Sequence, residues 1–329
     1  MKKFIVTTTI NPITKALEKF DLFNDWNLIV IGDKKTPDIK LKNGEFISHK
    51  HQDTLGFKIV SHIPWNSIQR RNIGYLIALK RGADIIASID DDNIPFDNWG
   101  QDISVGKDVT EKCISDTLIC DSLYEHKDCT RQKIWHRGFP VQNLEERYLR
   151  KEFIKTGNVA IEAGLWNGDP DVDAICRIAG GPFNLKFSNL RFLIDNTCFS
   201  PFNTQNTFFS KEAAICMCLP YDIGRMDDIW ASYMTQRIMR EINKFVLFTG
   251  PTVFQDRNIH DLTKDLQNEM IGYRNTLHFI NRLNKINVNG KSIIEMYNSI
   301  INGIIDLPFI SNDMIKFQKA WISDIEKIY

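Results

Sequence analysis

Residues 83–89 read ADIIASI and run without a break into Asp90-Asp91-Asp92-Asn93. A short apolar, β-branched run closed by a polar turn is a strand buried on both faces. Three adjacent carboxylates at its tip are costly, because like charges raise each other's pKa. A divalent cation removes that cost. Alternate residues of an extended segment point the same way, so Asp90 and Asp92 share one face and Asp91 turns to the other. Hard carboxylate oxygens suit Mg²⁺ or Mn²⁺. Such an ion, held in a DXD arrangement, would bridge a diphosphate and stabilise its departure. A bare acidic triplet also fits a solvated turn or a helix cap. The buried strand before it, and the Arg-rich helix before that strand, favour the metal site.

The rest of the first 95 residues fits the same frame. Phe4 to Thr9 and Trp26 to Ile31 are two more buried strands, closed by Asn11-Pro12 and Gly32-Asp33. Thr14 to Phe23 and Ser67 to Lys80 have helical spacing, with Ile68, Ile73, Leu76 and Ile77 as the inner face of the second helix. Strands that alternate with helices give a parallel sheet covered on both faces. Residues 1–95 therefore read as a β-α-β nucleotide-binding half, with the acidic run at the carboxyl end of a strand, where open α/β sheets place ligands. Residues 94–160 are more polar and are expected to form loops and short elements. Helices are expected at 211–219 and 227–242, a strand at 245–249, and mostly helix from Leu262 onward, capped by Asp261 or Thr263.

Composition excludes several classes. Lys plus Arg and Asp plus Glu both total 41, so nothing suggests nucleic-acid binding by counterion release. No stretch approaches the ~20 apolar residues of a membrane span. The short apolar start breaks into Thr7-Thr8-Thr9, unlike a secretory signal. The seven cysteines, Cys113, Cys120, Cys129, Cys176, Cys198, Cys216 and Cys218, form no zinc-type spacing. They read as free thiols in a reducing compartment, so a cytoplasmic protein is expected.

Several segments, in register, resemble the STELLO glycosyltransferase-like family. They are IVTTTINP, IGDKKTP, the run from LGFKIVSHIPWNS to IIASIDDDN, IWHRGFPVQNL, GLWNGDPDVDAI and GPTVFQDRNIHDLTKDL, between about residues 4 and 285. IDDDN, HRGFP, GLWNGDPDVDA, PFNTQNTFFSKE and RMDDIWASYM are similar, more weakly, to reversibly glycosylated polypeptides, the plant UDP-arabinopyranose mutases. Both resemblances imply a GT-A fold and nucleotide-sugar chemistry. The mutases are glycosylated on an arginine after their RGYP segment. Here RGFP is followed by VQNLEERY and Arg147 is out of register, so self-glycosylation is not carried over. The membrane-spanning N-terminal part of plant STELLO proteins has no counterpart here, and a stand-alone soluble enzyme is expected.

The expected architecture is an α/β GT-A-like catalytic domain over 1–260, with a mixed, mostly parallel sheet. Its nucleotide-binding half is 1–95 and its acceptor-side half 96–260, followed by a C-terminal helical extension over 261–329. The expected function is metal-dependent transfer of a sugar from a nucleoside diphosphate, UDP above all, to a glycan or other hydroxyl acceptor. A nucleotide-sugar mutase and a non-catalytic scaffold are the alternatives. Partners follow: donor and acceptor, no nucleic acid, and a second copy of the chain in a homo-oligomer.

Candidate residues divide by role. Asp90 and Asp92 are metal ligands, with His260 as a third or as a structural histidine. Asp90 and Asp91 also contact the donor. Thr8, Asn11 and Asp33, at or after strand ends, read base and ribose, or simply form turns. The resemblance implies that Arg71 contacts the donor; Arg70 is donor-binding or an exposed helix face. His136 and Arg137 suit the diphosphate. Trp166 stacks on a sugar or belongs to the core. The mutase-like motif places Asp169, Asp171 and Asp173 near the sugar, with Asp171 taken as the donor contact; a second metal site or a polar turn also explains them. Asp227 and Asp228 open a helix; one caps it, and in GT-A enzymes an acid there deprotonates the acceptor. Asp228 is the favoured base.

Overall fold

The computed structural model describes residues 1–255 and 261–329. A nine-stranded sheet is its frame. The N-terminal part contains β1 (Lys3–Thr8), α1 (Lys15–Phe20), β2 (Asn27–Ile31), β3 (Glu45–Ile47), α2 (His49–Gln52), α3 (Arg71–Lys80) and β4 (Ile85–Ile89). Here β1 pairs parallel with β2 and β4, and β2 parallel with β3. Side chains alternate between two cores: Phe4, Val6, Ile29, Ile31 and Ile86 face one, and Ile5, Leu28, Val30, Ile85 and Ala87 the other. Each such aliphatic side chain contributes roughly 1.5–3 kcal/mol by leaving water. Thr14 caps α1, its hydroxyl accepting from Leu17 N–H. Helix α3 lies close on β1 because Gly74 carries no Cβ; one there would fall 2.4 Å from Val6 Cγ1. Ile68, expected on the inner face of this helix, is 39% exposed. Residues 68–70 form a 3₁₀ turn, which shifts it off the apolar face.

After β4 come β5 (Asn93–Pro95), β6 (Asp108–Ser115), β7 (Lys151–Gly164), β8 (Asn167–Gly168), β9 (Phe192–Ile194), β10 (Asn206–Ser210), β11 (Lys244–Thr249) and β12 (Val253–Gln255). Helices α4 (Lys127–Arg131), α5 (Ala174–Gly180), α6 (Lys211–Cys216) and α7 (Asp227–Glu241) lie among them. The large sheet runs β11-β9-β6-β7-β10-β4-β1-β2-β3. This second half mixes directions: β10 is antiparallel to β4 and β7, while β11 is parallel to β7. The long pair β6–β7 occupies a stretch expected to hold only loops and short elements. Its paired residues Asp108–Ser115 and Lys151–Asn158 are mostly polar, with only Cys113 and Ile114 of β6 and Gly157 of β7 buried, so no apolar run marked them.

A separate three-stranded sheet, β5-β12-β8, positions the site. It sets Asn93 opposite Gln255, and Gln255 beside Gly168. The segments after the acidic run, before residue 256 and before Asp169 thus converge. Helices α8 (Leu262–Lys285), α9 (Ile293–Ile304) and α10 (Asn312–Ile328) follow, and Asp261 caps α8. Phe279, Tyr297, Ile300 and Trp321 of these helices join the same core as β1 and α3. Asp324 of α10 accepts from the Lys58 and Ile59 amides at 2.8 Å each, tying the last helix to the N-terminal half. The seven cysteines are free and buried. Among the described residues no helix is long and apolar enough to cross a membrane.

Candidate active site

At the end of β4 the acidic side chains separate as strand alternation requires. Asp90 and Asp92 line a cavity of about 680 Å³. Asp91 turns into a neighbouring one, where Thr9 Oγ1 and Asn11 Nδ2 donate to it, the latter at 3.0 Å. Burial pushes the Asp91 carboxyl above its ordinary range, against those two hydrogen bonds. Arg71 donates to Asp90 Oδ1 at 2.6 Å, and the Asp90 side chain remains 27% exposed. Arg71 itself is 1% exposed and also donates to the Thr204 carbonyl and hydroxyl, both at 2.9 Å. Arg71, expected to contact a donor, is placed behind Asp90 as its support and does not line the cavity.

The opposite wall is the start of α7. Asp227 and Asp228 both line the large cavity. Neither caps the helix, whose N-cap is Met226; both lie in the first turn, where the helix dipole favours negative charge. Arg137 grips both oxygens of Asp228 at 3.1 and 3.2 Å, and donates from Nε to Asp171 at 2.7 Å. Against the desolvation of burial, Arg137 holds the Asp171 carboxyl well below its usual range. Asn203 donates to the other Asp171 oxygen at 2.7 Å, and the Thr204 amide to Asp228 at 3.3 Å. The chain Asp90–Arg71–Thr204–Asp228–Arg137–Asp171 is thus continuous across the cavity floor. Asp227 is held differently: Gln69 Nε2 donates to it at 2.9 Å. Burial, then the charge of Asp228, pushes the Asp227 carboxyl well above the ordinary range.

Thr8, Asn11 and Asp33 meet at the adjoining cavity of about 280 Å³, beyond the ends of β1 and β2. It shares Asn66, Ser67 and Ile68 with the large one. Asp33 accepts from the Asn66 amide at 2.6 Å and the Lys34 amide at 2.6 Å, so it also shapes the loop between the cavities. Arg70, offered as an exposed face, is buried and donates to the Ile63 carbonyl at 2.8 Å. Trp65 covers it, its ring centroid 3.4 Å from the guanidinium carbon.

Other expected residues move. Trp166 is 3% exposed in the core, and its indole N–H donates to the Asp169 carbonyl at 2.8 Å, which leaves no face for a sugar. His136 is buried, its Nδ1 2.8 Å from the Arg137 carbonyl, so it sits behind Arg137 rather than against a diphosphate. Asp169 pairs with Arg177 and Asp173 caps α5, so of the three only Asp171 lines the large cavity. His260 lies outside the described residues. Among those described, no three acidic, histidine or cysteine side chains form a metal cage. Gln69, Thr204, Gln205, Arg225, Gln255 and Asn268 were missed as cavity residues. All but Asn268 lie in segments already marked by resemblance, Gln69 before the acidic run, Thr204 and Gln205 in PFNTQNTFFSKE, Arg225 in RMDDIWASYM and Gln255 in GPTVFQDRNIHDLTKDL, but nothing in the sequence singled them out within those segments. Arg225 is braced by Glu269 of α8 at 3.0 Å, so the C-terminal helices help build the wall.

That wall is also where a known family is matched. The model of the STELLO glycosyltransferases matches residues 225–329. Over 98% of its length the chain aligns with two proteins of Arabidopsis thaliana, "Probable glycosyltransferase STELLO2" at 26% identity and "Probable glycosyltransferase STELLO1" at 24%. The chain is thus similar to the STELLO glycosyltransferases. It spans 44% of the length of each of those relatives. The segment matched by the family model carries Arg225, Asp227, Asp228 and Asn268, whereas Asp90–Asp92 lies outside it. The α/β architecture with C-terminal helices is consistent with a GT-A-like glycosyltransferase fold.

Proposed function

We propose that this chain transfers a sugar from a nucleoside diphosphate, UDP in the first instance, to a hydroxyl acceptor, with Mg²⁺ or Mn²⁺ between protein and diphosphate. One observation carries the reading: Asp90 and Asp92 face the Asp227–Asp228 pair across one cavity of about 680 Å³. Two hard carboxylates on one wall fit a small divalent cation, which usually takes one or two carboxylates and completes its shell with substrate phosphates and water. When bound, the cation would neutralise charge on the departing diphosphate.

The chain's own residues supply the rest. Arg71 fixes the Asp90 carboxylate, and the smaller cavity at Thr8, Asn11 and Asp33 takes the nucleoside. Asp227 is a better base than Asp228. Protonating Asp228 would break its two-oxygen pairing with Arg137, whereas Asp227 has no ion pair among the described residues and already favours its proton. Asp227 takes the acceptor hydroxyl proton as the acceptor oxygen bonds to the anomeric carbon and the bond to the diphosphate breaks. Arg147, the nearest candidate for self-glycosylation, is buried against Asp121 at 2.9 Å. The test is a panel of UDP-sugars with Mn²⁺, with and without hydroxyl acceptors. Acceptor-dependent release of UDP, abolished by EDTA, is expected. Ring-form interconversion without acceptor would establish the mutase instead, and no UDP binding at millimolar concentration would establish a scaffold.

A further inference from the structure

Apart from these cavities the molecule has a concavity of about 200 Å³ that shares no lining residue with the large one. Glu162 lines it, near the C-terminal end of β7 and 7% exposed. A carboxylate in such a place is expensive unless its acceptor sites are filled. Ser104 is its hydrogen-bonding residue among those described, the backbone N–H donating at 2.6 Å. A carboxylate offers about four lone-pair sites, so much of its capacity is unused. Burial also pushes its carboxyl above the ordinary range.

Around Glu162 stand Asn98, Gln101, Asp102, Asn189 and Arg191, and the buried Phe208 closes the concavity on the core side. Acceptors and donors alternate: the two carboxylates accept, the guanidinium donates, and each amide does both. Gly250 lets the 188–189 loop close down on this place; a Cβ there would fall 2.7 Å from Asn189 Cα. We infer that this concavity is a carbohydrate subsite taking one neutral pyranose unit. Sugar hydroxyls both donate and accept, which matches this lining of carboxylates, amides and one guanidinium. The volume is below that of a drug-sized pocket and holds one ring. An anion is disfavoured, because two carboxylates face one arginine that is already paired with Glu111 at 2.9 Å. Thr252 lines this subsite and Gln255 the large cavity, three residues along the same segment. About 10 Å of extended chain therefore separates them, within reach of one oligosaccharide.

The subsite stands without the donor assignment and is tested apart from it. Saturation-transfer NMR would be run with methyl β-D-glucopyranoside, methyl β-D-galactopyranoside and methyl α-D-mannopyranoside, in the presence and absence of excess UDP and Mn²⁺. At least one glycoside should bind at millimolar concentration, undisturbed by UDP. Asn98→Ala with Gln101→Ala, both exposed, should weaken it about fivefold or more without changing the melting temperature, and Glu162→Gln should do the same. No transfer to any glycoside, displacement by UDP, or a signal unchanged in these variants would overturn the assignment. UDP binding read in the same samples reports separately on the donor cavity.

Discussion

The two acidic walls of the large cavity differ in how their charge is met. At the end of β4, Asp90 has one protein cation, Arg71, and keeps part of its carboxylate open. At the start of α7, Asp228 is gripped through both oxygens by a buried guanidinium that also holds Asp171. The proposed cation would sit at the first wall, whereas the second carries a guanidinium shared by two carboxylates. Between them, among the described residues, Asp227 has neither, and its raised proton affinity follows from that position. A run of like residues in sequence can thus be a ligand-binding wall at one place and a self-compensated network at another. Both partner cations are buried; what differs is the carboxylate, with Asp90 paired through one oxygen and 27% exposed and Asp228 held through both oxygens and 10% exposed.

That contrast can be broken most severely on the open wall. Asp90→Ala with Asp92→Ala should lower turnover by about a thousandfold or more, as expected when the charge facing a leaving group is lost, while the thermal melt stays cooperative. Retained turnover would remove the open wall from the mechanism. Asp227→Asn should cost roughly 10²–10⁴ in kcat. In the wild type, activity should fall as pH drops through the raised Asp227 pKa, and this limb should vanish in the variant. The stability effect has the opposite sign. A carboxyl whose folded pKa is raised stabilises the fold only while protonated, and that contribution is lost as pH rises from the ordinary carboxylate range through the folded value. Asp227→Asn should therefore raise Tm at pH 8 and leave it nearly unchanged at pH 4.

On the closed wall, Arg137→Ala strands Asp171 and Asp228 without their cation. Breaking a buried pair in this way costs roughly 3–5 kcal/mol, which urea denaturation would read as a lower midpoint. A loss below about 1 kcal/mol would show that the network is wetter than its burial indicates. The smallest effect is expected at Trp166→Phe, which gives up the indole hydrogen bond for about 1 kcal/mol and should leave the KM for donor unchanged. A raised KM would return Trp166 to the sugar site.

What the sequence revealed follows the same division. The open wall was legible, because a continuous apolar strand fixes the alternation of the residues that follow it; Asp91 turning toward Thr9 and Asn11 needed no further knowledge. The apolar strands β1, β2, β4 and β11 were visible for the same reason. The closed wall was not, since Arg137 meets Asp171 and Asp228 across 34 and 91 residues of chain. The burial of Arg71 was hidden because a helix covered on all sides has no polar stripe to mark an outer face. Strands β6 and β7 escaped notice because their paired halves are mostly polar.

The central claim is that Asp90 and Asp92 bind a cation jointly with the diphosphate. Titration calorimetry of UDP with and without Mn²⁺, and of Mn²⁺ with and without UDP, tests it directly, since binding free energies are coupled reciprocally. The account predicts that each ligand tightens the other by the same factor, tenfold or more, and that Asp90→Ala with Asp92→Ala reduces this factor to about one. UDP binding equally well in EDTA would contradict it.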